Sequence, residues 1–215
     1  MTAPDQNAAP SWVVDRRTQA VAFGTAVAGA VLLAFTINHG DNTVRFVVTG
    51  AALAAVWVTG FVLVRDWRRH FQTSWSLDTA WGLAVGLAAF LVFVAGAWVV
   101  RRVGVLEGAV DDIFAQADAQ PRGWVIAVAV VNGVAEELFF RGALMDAITP
   151  RRAVAVSTLI YVAVTAAGGN VALTLGAAFM GVVWAVARQR TASLVTPIVI
   201  HLTWSVLMIT ALPRS

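Results

Sequence analysis

Two adjacent glutamates and an arginine lie inside a segment that is otherwise apolar enough to cross a membrane. The segment spans residues 124–144, and its polar exceptions are Asn132, Glu136, Glu137 and Arg141. Each ionised side chain at the centre of a membrane helix costs about 2.5–3.5 kcal/mol on insertion scales. Ionisable groups at such a depth therefore indicate a functional site, and a carboxylate there is suited to general acid–base chemistry.

Helical spacing separates the two glutamates. At about 100° per residue, Glu137 and Arg141 lie one turn apart and about 40° from each other, so they can form an ion pair within the helix. Glu136 points about 100° away, on the face of Asn132, whose amide is expected to hydrogen-bond to it. Gly133 is close to this face, where a small residue allows another helix to approach. We therefore expect a structural Glu137 and a Glu136 that is available for chemistry.

A histidine on a later helix is the natural partner for these acids. His201 falls within a predicted span, whereas His39 and His70 fall in predicted loops. Ser205 follows His201 by four residues and shares its helical face. His201 and Glu136 each lie about two turns from the same end of their helices, so we expect them at similar depth in one site. The alternative interpretation of His201 is a hydrogen-bonded packing residue.

The composition is that of a polytopic membrane protein. Of 215 residues, 59% are hydrophobic and 13% charged, and the mean hydropathy is +0.77. There is no cysteine, which excludes disulfides, thiolate catalysis and cysteine-ligated metals. The net charge is only +3, and the arginines cluster at the ends of apolar runs. They are typical of topology determinants, so no nucleic-acid partner is expected.

The elements that must position the site are membrane helices. Apolar runs of about 17–21 residues recur, the length that crosses about 30 Å of hydrocarbon. They predict spans at 19–37, 44–64, 79–100, 124–144, 153–167, 171–187 and 194 or 197–212. An amphipathic surface helix is predicted within 101–122. We thus predict an all-α bundle of about seven spans, with a disordered cytoplasmic tail at 1–17, N-terminal transmembrane helices with the amphipathic segment at 18–122, and a membrane core at 123–215.

The motif Glu136-Glu137-x-x-x-Arg141-Gly142 resembles the first motif, EExxxR, of the CPBP family. That family comprises type II CAAX prenyl endopeptidases and bacteriocin-processing or Abi-like immunity proteins, and its members are often described as intramembrane metalloproteases. His201 is similar to the histidine of the family's third motif, HxxxN, and the resemblance covers about residues 131–212. It implies that Glu136 activates the hydrolytic water, that Glu137 and Arg141 support it, and that His201 holds the substrate carbonyl or the oxyanion.

Two positions depart from the family pattern. Tyr161-Val-Ala-Val-Thr165 stands in the place of FxxxH, and Ser205 stands where asparagine or aspartate follows the third-motif histidine. The resemblance allows a divalent metal such as zinc, with Glu136 and His201 as the ligands. A threonine hydroxyl can orient a water but is a poor zinc ligand. We therefore expect no tightly bound cofactor, with Thr165 as a supporting hydrogen-bonder.

These observations predict an intramembrane endopeptidase that cleaves a membrane-associated peptide or protein within the lipid bilayer, with Ser205 assisting His201 at the oxyanion. One alternative is a catalytically degenerate member that binds membrane proteins or acts as an immunity factor. Another is a small proton-linked transporter that uses Glu136, although no internal repeat supports it. Bacterial members of the family imply the plasma membrane as the location. More arginines lie in the tail and the connections on the N-terminal side of the membrane than on the opposite side. This distribution predicts a cytoplasmic N-terminus.

Overall fold

The computed structural model describes residues 15–39, 42–64, 70–71, 74–100, 102 and 104–212. Within these ranges the chain folds into helices, which confirms the predicted all-α class. They are α1 (Arg16–His39), α2 (Thr43–Leu63), α3 (Trp75–Val100), α4 (Gly104–Asp118), α5 (Arg122–Glu137), a π-helical segment (Leu138–Leu144), α6 (Ala153–Ala166), α7 (Val171–Thr191) and α8 (Val195–Ala211). Residues 1–14 of the predicted tail lie outside the described ranges, and α1 already begins at Arg16.

The helices have the length and composition of a membrane bundle. In the described part of the chain, five helical stretches are long and apolar enough to cross a bilayer: Arg16–Asn38, Thr43–Leu63, Trp75–Val100, Arg122–Leu144 and Val171–Thr191. Two further apolar helices, α6 and α8, are shorter, with 14 and 17 residues. All seven correspond to predicted spans, because the hydropathy pattern alone determines where such helices form.

The helix that carries the two glutamates lies at the centre of the bundle. α5 packs against α2 and α8, and the π-helical segment that continues it contacts α1, α2, α6 and α7. Aromatic rings join these elements. Trp57 of α2 stacks on Phe139 with ring centroids 4.9 Å apart, and Phe140 meets Tyr161 of α6 at 4.8 Å. This packing fixes where α6 presents Tyr161 to α5.

α5 and α8 approach each other closely at Gly133. A Cβ atom built there would lie 3.4 Å from Cδ2 of His201. The close approach that the sequence predicts at Gly133 is thus confirmed, and the approaching helix is the one that carries the site histidine. Two glycines of α3, Gly82 and Gly86, likewise admit α8, since Cβ atoms there would lie 2.6 Å and 2.7 Å from side chains of Val199 and Thr203.

The predicted amphipathic helix within 101–122 corresponds to α4. It ends at Asp118. Pro121, three residues later, is the N-cap of α5. α4 contacts α3, α5 and α7. Asn170, which caps α7 by accepting from the Leu173 amide at 3.0 Å, also donates to the Ala109 carbonyl at 2.8 Å. This contact ties α4 to the turn between α6 and α7.

Candidate active site

Glu137 is the buried centre of the polar cluster. Its side chain is inaccessible to solvent, and its Oε1 accepts hydrogen bonds from Nη1 of Arg141 at 3.2 Å and from Nδ1 of His201 at 2.8 Å. The predicted Glu137–Arg141 pair is therefore confirmed. An arginine that is only 2% exposed needs such a partner, because an unpaired buried charge is costly.

His201 forms its hydrogen bond with Glu137, while Glu136, which the sequence predicts in the same site, interacts with His201 electrostatically. An ionised carboxylate oxygen can only accept, so Nδ1 of His201 carries the proton. In the neutral ring Nε2 then has its lone pair available on the side away from Glu137. Trp184 and Trp204 meet the imidazole edge-on or tilted, with centroids 5.8 Å and 6.2 Å away. These contacts fix the orientation of the ring as well as its tautomer.

Glu136 is the more accessible of the two acids, since it is partly exposed whereas Glu137 is buried. Its Oε2 accepts a hydrogen bond from the hydroxyl of Tyr161 at 3.2 Å. The expected bond from Asn132 to Glu136 is wrong. The Asn132 amide donates instead to the carbonyls of Val128 at 3.0 Å and Gly50 at 3.1 Å, because α2 approaches α5 closely on that face.

The charged groups of the site are close enough to interact electrostatically. Glu136 interacts electrostatically with His201, Glu137 and Arg141, and the Arg141 guanidinium lies 4.7 Å from the centre of the Tyr161 ring. With both carboxylates ionised and the imidazole neutral, two negative charges face one positive charge. A proton transfer from water to Glu136 would move one of the negative charges from the carboxylate to the water oxygen, which is the role of a general base.

The remaining predicted residues lie next to this cluster. Thr165 is half-buried, and its hydroxyl donates to the carbonyl of Tyr161 at 2.9 Å, within α6. It therefore supports the turn that carries Tyr161. Ser205 is buried one helical turn beyond His201 on α8. Its place on the His201 face agrees with the spacing argument.

The donor set does not fit a tightly held zinc ion. Among the described residues, no group of three or more histidine, cysteine, aspartate or glutamate side chains is arranged to hold a metal. Nδ1 of His201 and Oε1 of Glu137 bond to each other, and the Thr165 hydroxyl already donates to a backbone carbonyl. A zinc site requires about four nitrogen, sulphur or oxygen ligands around one point. The absence of a tightly bound cofactor stays a prediction, as does the divalent metal that the resemblance allows at Glu136 and His201.

Two parts of the site escaped the sequence analysis. One is the hydroxyl of Tyr161, for which the signal was the tyrosine in place of the motif's phenylalanine. The other is a second polar cluster, formed by His70, Asp146 and Arg188, which contacts the backbone carbonyl of Arg141. His70 is only 2% exposed, although it falls in a predicted loop. No local spacing indicates this cluster, because its members belong to three separate parts of the chain.

Taken together, the fold and the site define a helical membrane protein with an acid–histidine centre within the bundle. Residues 118–207 match the family described as type II CAAX prenyl endopeptidase Rce1-like. The match covers somewhat less than half of the chain, and it confirms the resemblance seen in the motifs. The match supports a peptidase as the general class of activity. No curated protein and no solved structure matches the chain.

Proposed function

We propose that the protein is an intramembrane endopeptidase of the CAAX-protease type, which uses water to cleave a peptide bond of a membrane-associated peptide or protein. One observation carries the proposal. Glu136, which is less buried than Glu137 as a residue, has its carboxylate held by Tyr161 next to the Glu137–Arg141–His201 cluster and inside the range that matches the protease family. Glu136 is thus free to act as a general base, while Glu137 holds the neighbouring residues in place.

The proposed reaction uses these groups in sequence. The ionised Glu136 takes a proton from a water molecule, and the water oxygen forms a bond to the carbonyl carbon of the substrate. The resulting tetrahedral intermediate carries a negative oxygen. When it collapses, the carbon–nitrogen bond breaks, and the protonated Glu136 gives its proton to the leaving amine. The carboxylate is regenerated and a new carboxyl terminus is released.

His201 and Ser205 are proposed to stabilise the oxyanion. Removing one oxyanion donor from an enzyme typically costs about 10²–10³-fold in rate. Glu137 keeps His201 oriented through Nδ1. The ring is neutral in the resting site, so it can donate to the oxyanion from Nε2 only after it has taken up a second proton from solvent. The Tyr161 hydroxyl fixes one oxygen of Glu136, which leaves the other for water. Thr165 acts only by supporting the Tyr161 turn.

A second candidate function is binding without cleavage. It is favoured by Thr165, which occupies the position of the motif's histidine and whose hydroxyl donates to a carbonyl of its own helix. A threonine cannot exchange a proton near neutral pH, so a member with this residue has lost one acid–base group of the family pattern. Such a protein would hold a membrane peptide or act as an immunity factor.

We further propose that the protein resides in the bacterial plasma membrane with its N-terminus in the cytoplasm, as the arginine distribution predicts. Its partners would then be lipids and a membrane-embedded peptide or protein. With this orientation, the first turns of α6 and α8 face the cytoplasm, and Tyr161 and His201 lie about two turns inside the membrane from there.

A peptide library and proteomics of membrane-protein termini test the proposal. Wild type is compared with Glu136→Gln and with Glu107→Gln, a control that neutralises an exposed acid of α4. New termini that require Glu136 but not Glu107 would support the endopeptidase. Peptides retained by both wild type and Glu136→Gln without cleavage would favour the binding protein instead.

A further inference from the structure

A chain of hydrogen bonds links the second polar cluster to the proposed active site. Nε2 of His70 lies 3.0 Å from Oδ2 of Asp146, and Nδ1 of His70 lies 2.8 Å from Nη2 of Arg188. Nε of the same guanidinium donates to the backbone carbonyl of Arg141 at 3.2 Å. The amide of Leu194 donates to the His70 carbonyl at 3.2 Å, which anchors His70 at the start of α8.

The chemistry of the donors determines the protonation of His70. A guanidinium has no acceptor, so Nδ1 of His70 must accept the bond from Arg188. The neutral ring then carries its proton on Nε2 and donates it to Asp146. His201 has the opposite tautomer, since its Nδ1 donates to Glu137. Two buried histidines of this chain are thus held in opposite tautomers by their charged neighbours.

The carbonyl that Arg188 holds lies in the middle of the π-helical segment. Such segments are rare and occur frequently at functional sites. Uncommon backbone geometry persists only where the surrounding contacts over-determine it. Arg141 projects its side chain to Glu137 from this segment, and its backbone carbonyl is held from the other side by Arg188. The placement of Arg141 is therefore fixed at both its backbone and its side chain.

We propose that Arg188 is a positioning residue for the active site, with His70 and Asp146 fixing the orientation of its guanidinium. By holding the Arg141 carbonyl, it maintains the register of the π-helical segment and hence the bonds from Arg141 and His201 to Glu137. The effect on catalysis rests on the proposed endopeptidase function. The effect on the His201 tautomer does not, so the two can be tested separately.

Nitrogen NMR of the full-length protein, labelled at its histidine rings and reconstituted in nanodiscs, tests the proposal together with activity. In the wild type, His70 is expected to carry its proton on Nε2 and His201 on Nδ1. Arg188→Gln should leave folded yield near that of wild type but give His201 mixed tautomers. It should also lower kcat by up to about 10²-fold, with KM nearly unchanged.

The matched control is Arg190→Gln. Arg190 is exposed in the same last turn of α7, so this variant removes the same charge from the same helix end. It should leave both the histidine signals and kcat unchanged. A second pair of variants applies if Arg188→Gln folds poorly. Asp146→Asn keeps an oxygen that accepts from His70 and should resemble wild type, whereas Asp146→Ala should reproduce the loss.

The proposal is overturned if a folded Arg188→Gln or Asp146→Ala protein keeps the wild-type signal of His201. Loss of activity with an unchanged His201 tautomer would also overturn it, because the role of Arg188 would then be structural only. If the wild type cleaves nothing while Arg188→Gln still alters His201, the endopeptidase proposal fails and the positioning role stands.

Discussion

The two adjacent glutamates should respond differently to the same chemical change. Glutamate-to-glutamine substitution keeps the size of the side chain and removes one negative charge, so Glu136→Gln and Glu137→Gln serve as controls for each other. The contrast in burial and partners predicts which property each variant loses. Glu137 is fully buried with two charged or polar donors on one oxygen, and Glu136 is partly exposed with one neutral donor.

Glu137→Gln should mainly destabilise the fold. It leaves Arg141, only 2% exposed, without its counter-charge, and it removes the acceptor that orients His201. Breaking a buried ion pair by neutralising one partner typically costs about 3–5 kcal/mol. The free energy of unfolding of a typical domain is about 5–15 kcal/mol, so this loss would be a large part of it. Folded yield and thermal stability should both fall.

Glu136→Gln should spare the fold and abolish activity. The glutamine oxygen still accepts from Tyr161, so the change in stability should stay within about 1 kcal/mol, the net value of one hydrogen bond. A glutamine cannot take a proton from water. Cleavage should therefore fall by the contribution of a general base, about 10²–10⁴-fold.

The assay combines size-exclusion profiles, thermal unfolding in detergent and peptide cleavage per folded protein. Equal destabilisation by the two variants would refute the division of roles. A further check is the double variant Glu137→Gln/Arg141→Met, which removes the uncompensated charge along with its partner. It should recover part of the stability lost in Glu137→Gln, because a buried pair replaced by apolar groups is often tolerated.

Two further predictions concern Tyr161 and metal. Tyr161→Phe should lower kcat while costing only about 0.5–1.5 kcal/mol of stability, since the ring contact with Arg141 remains. Thr165→Val, which removes a hydroxyl that donates to a backbone carbonyl of the same helix, is the control and should have a much smaller effect on kcat. Purified protein should hold zinc below stoichiometry after dialysis, and chelators should leave its melting temperature unchanged. Stoichiometric zinc bound to folded protein would show that the donor set has been misjudged.

Much of the fold could be predicted from the sequence, because a membrane helix is defined by local composition. Every predicted span corresponds to a helix, and the Glu137–Arg141 pair follows from residues four apart on one helix. Local spacing also identified Gly133 as the point where a second helix approaches. These features need no knowledge of which helices are neighbours.

The features that were missed depend on packing between helices. The choice of His201 between two adjacent acids is decided by the rotation of α8 against α5, which no spacing within either helix determines. The Asn132 side chain faces α2 because its amide can donate to the Gly50 carbonyl there. The π-helical segment widens the turn after Glu137 and changes which faces its side chains occupy, and the sequence 138–144 shows no pattern that distinguishes it from an α-helix.

The lengths of α6 and α8 have a consequence for the surrounding lipid. With 14 and 17 residues, these helices extend about 21 Å and about 26 Å, less than the about 30 Å of a typical hydrocarbon layer. A bilayer accommodates such a mismatch by thinning or by lowering its headgroups around the short helices. α6 has an exposed face, with Leu159 68% exposed, whereas the start of α8 is buried, so thinning would act at α6. There it would bring water closer to Tyr161 than beside the longer helices. A hydrolytic centre inside a membrane needs water at a depth from which lipid excludes it, and a short helix at the edge of the site would supply that water without a separate channel.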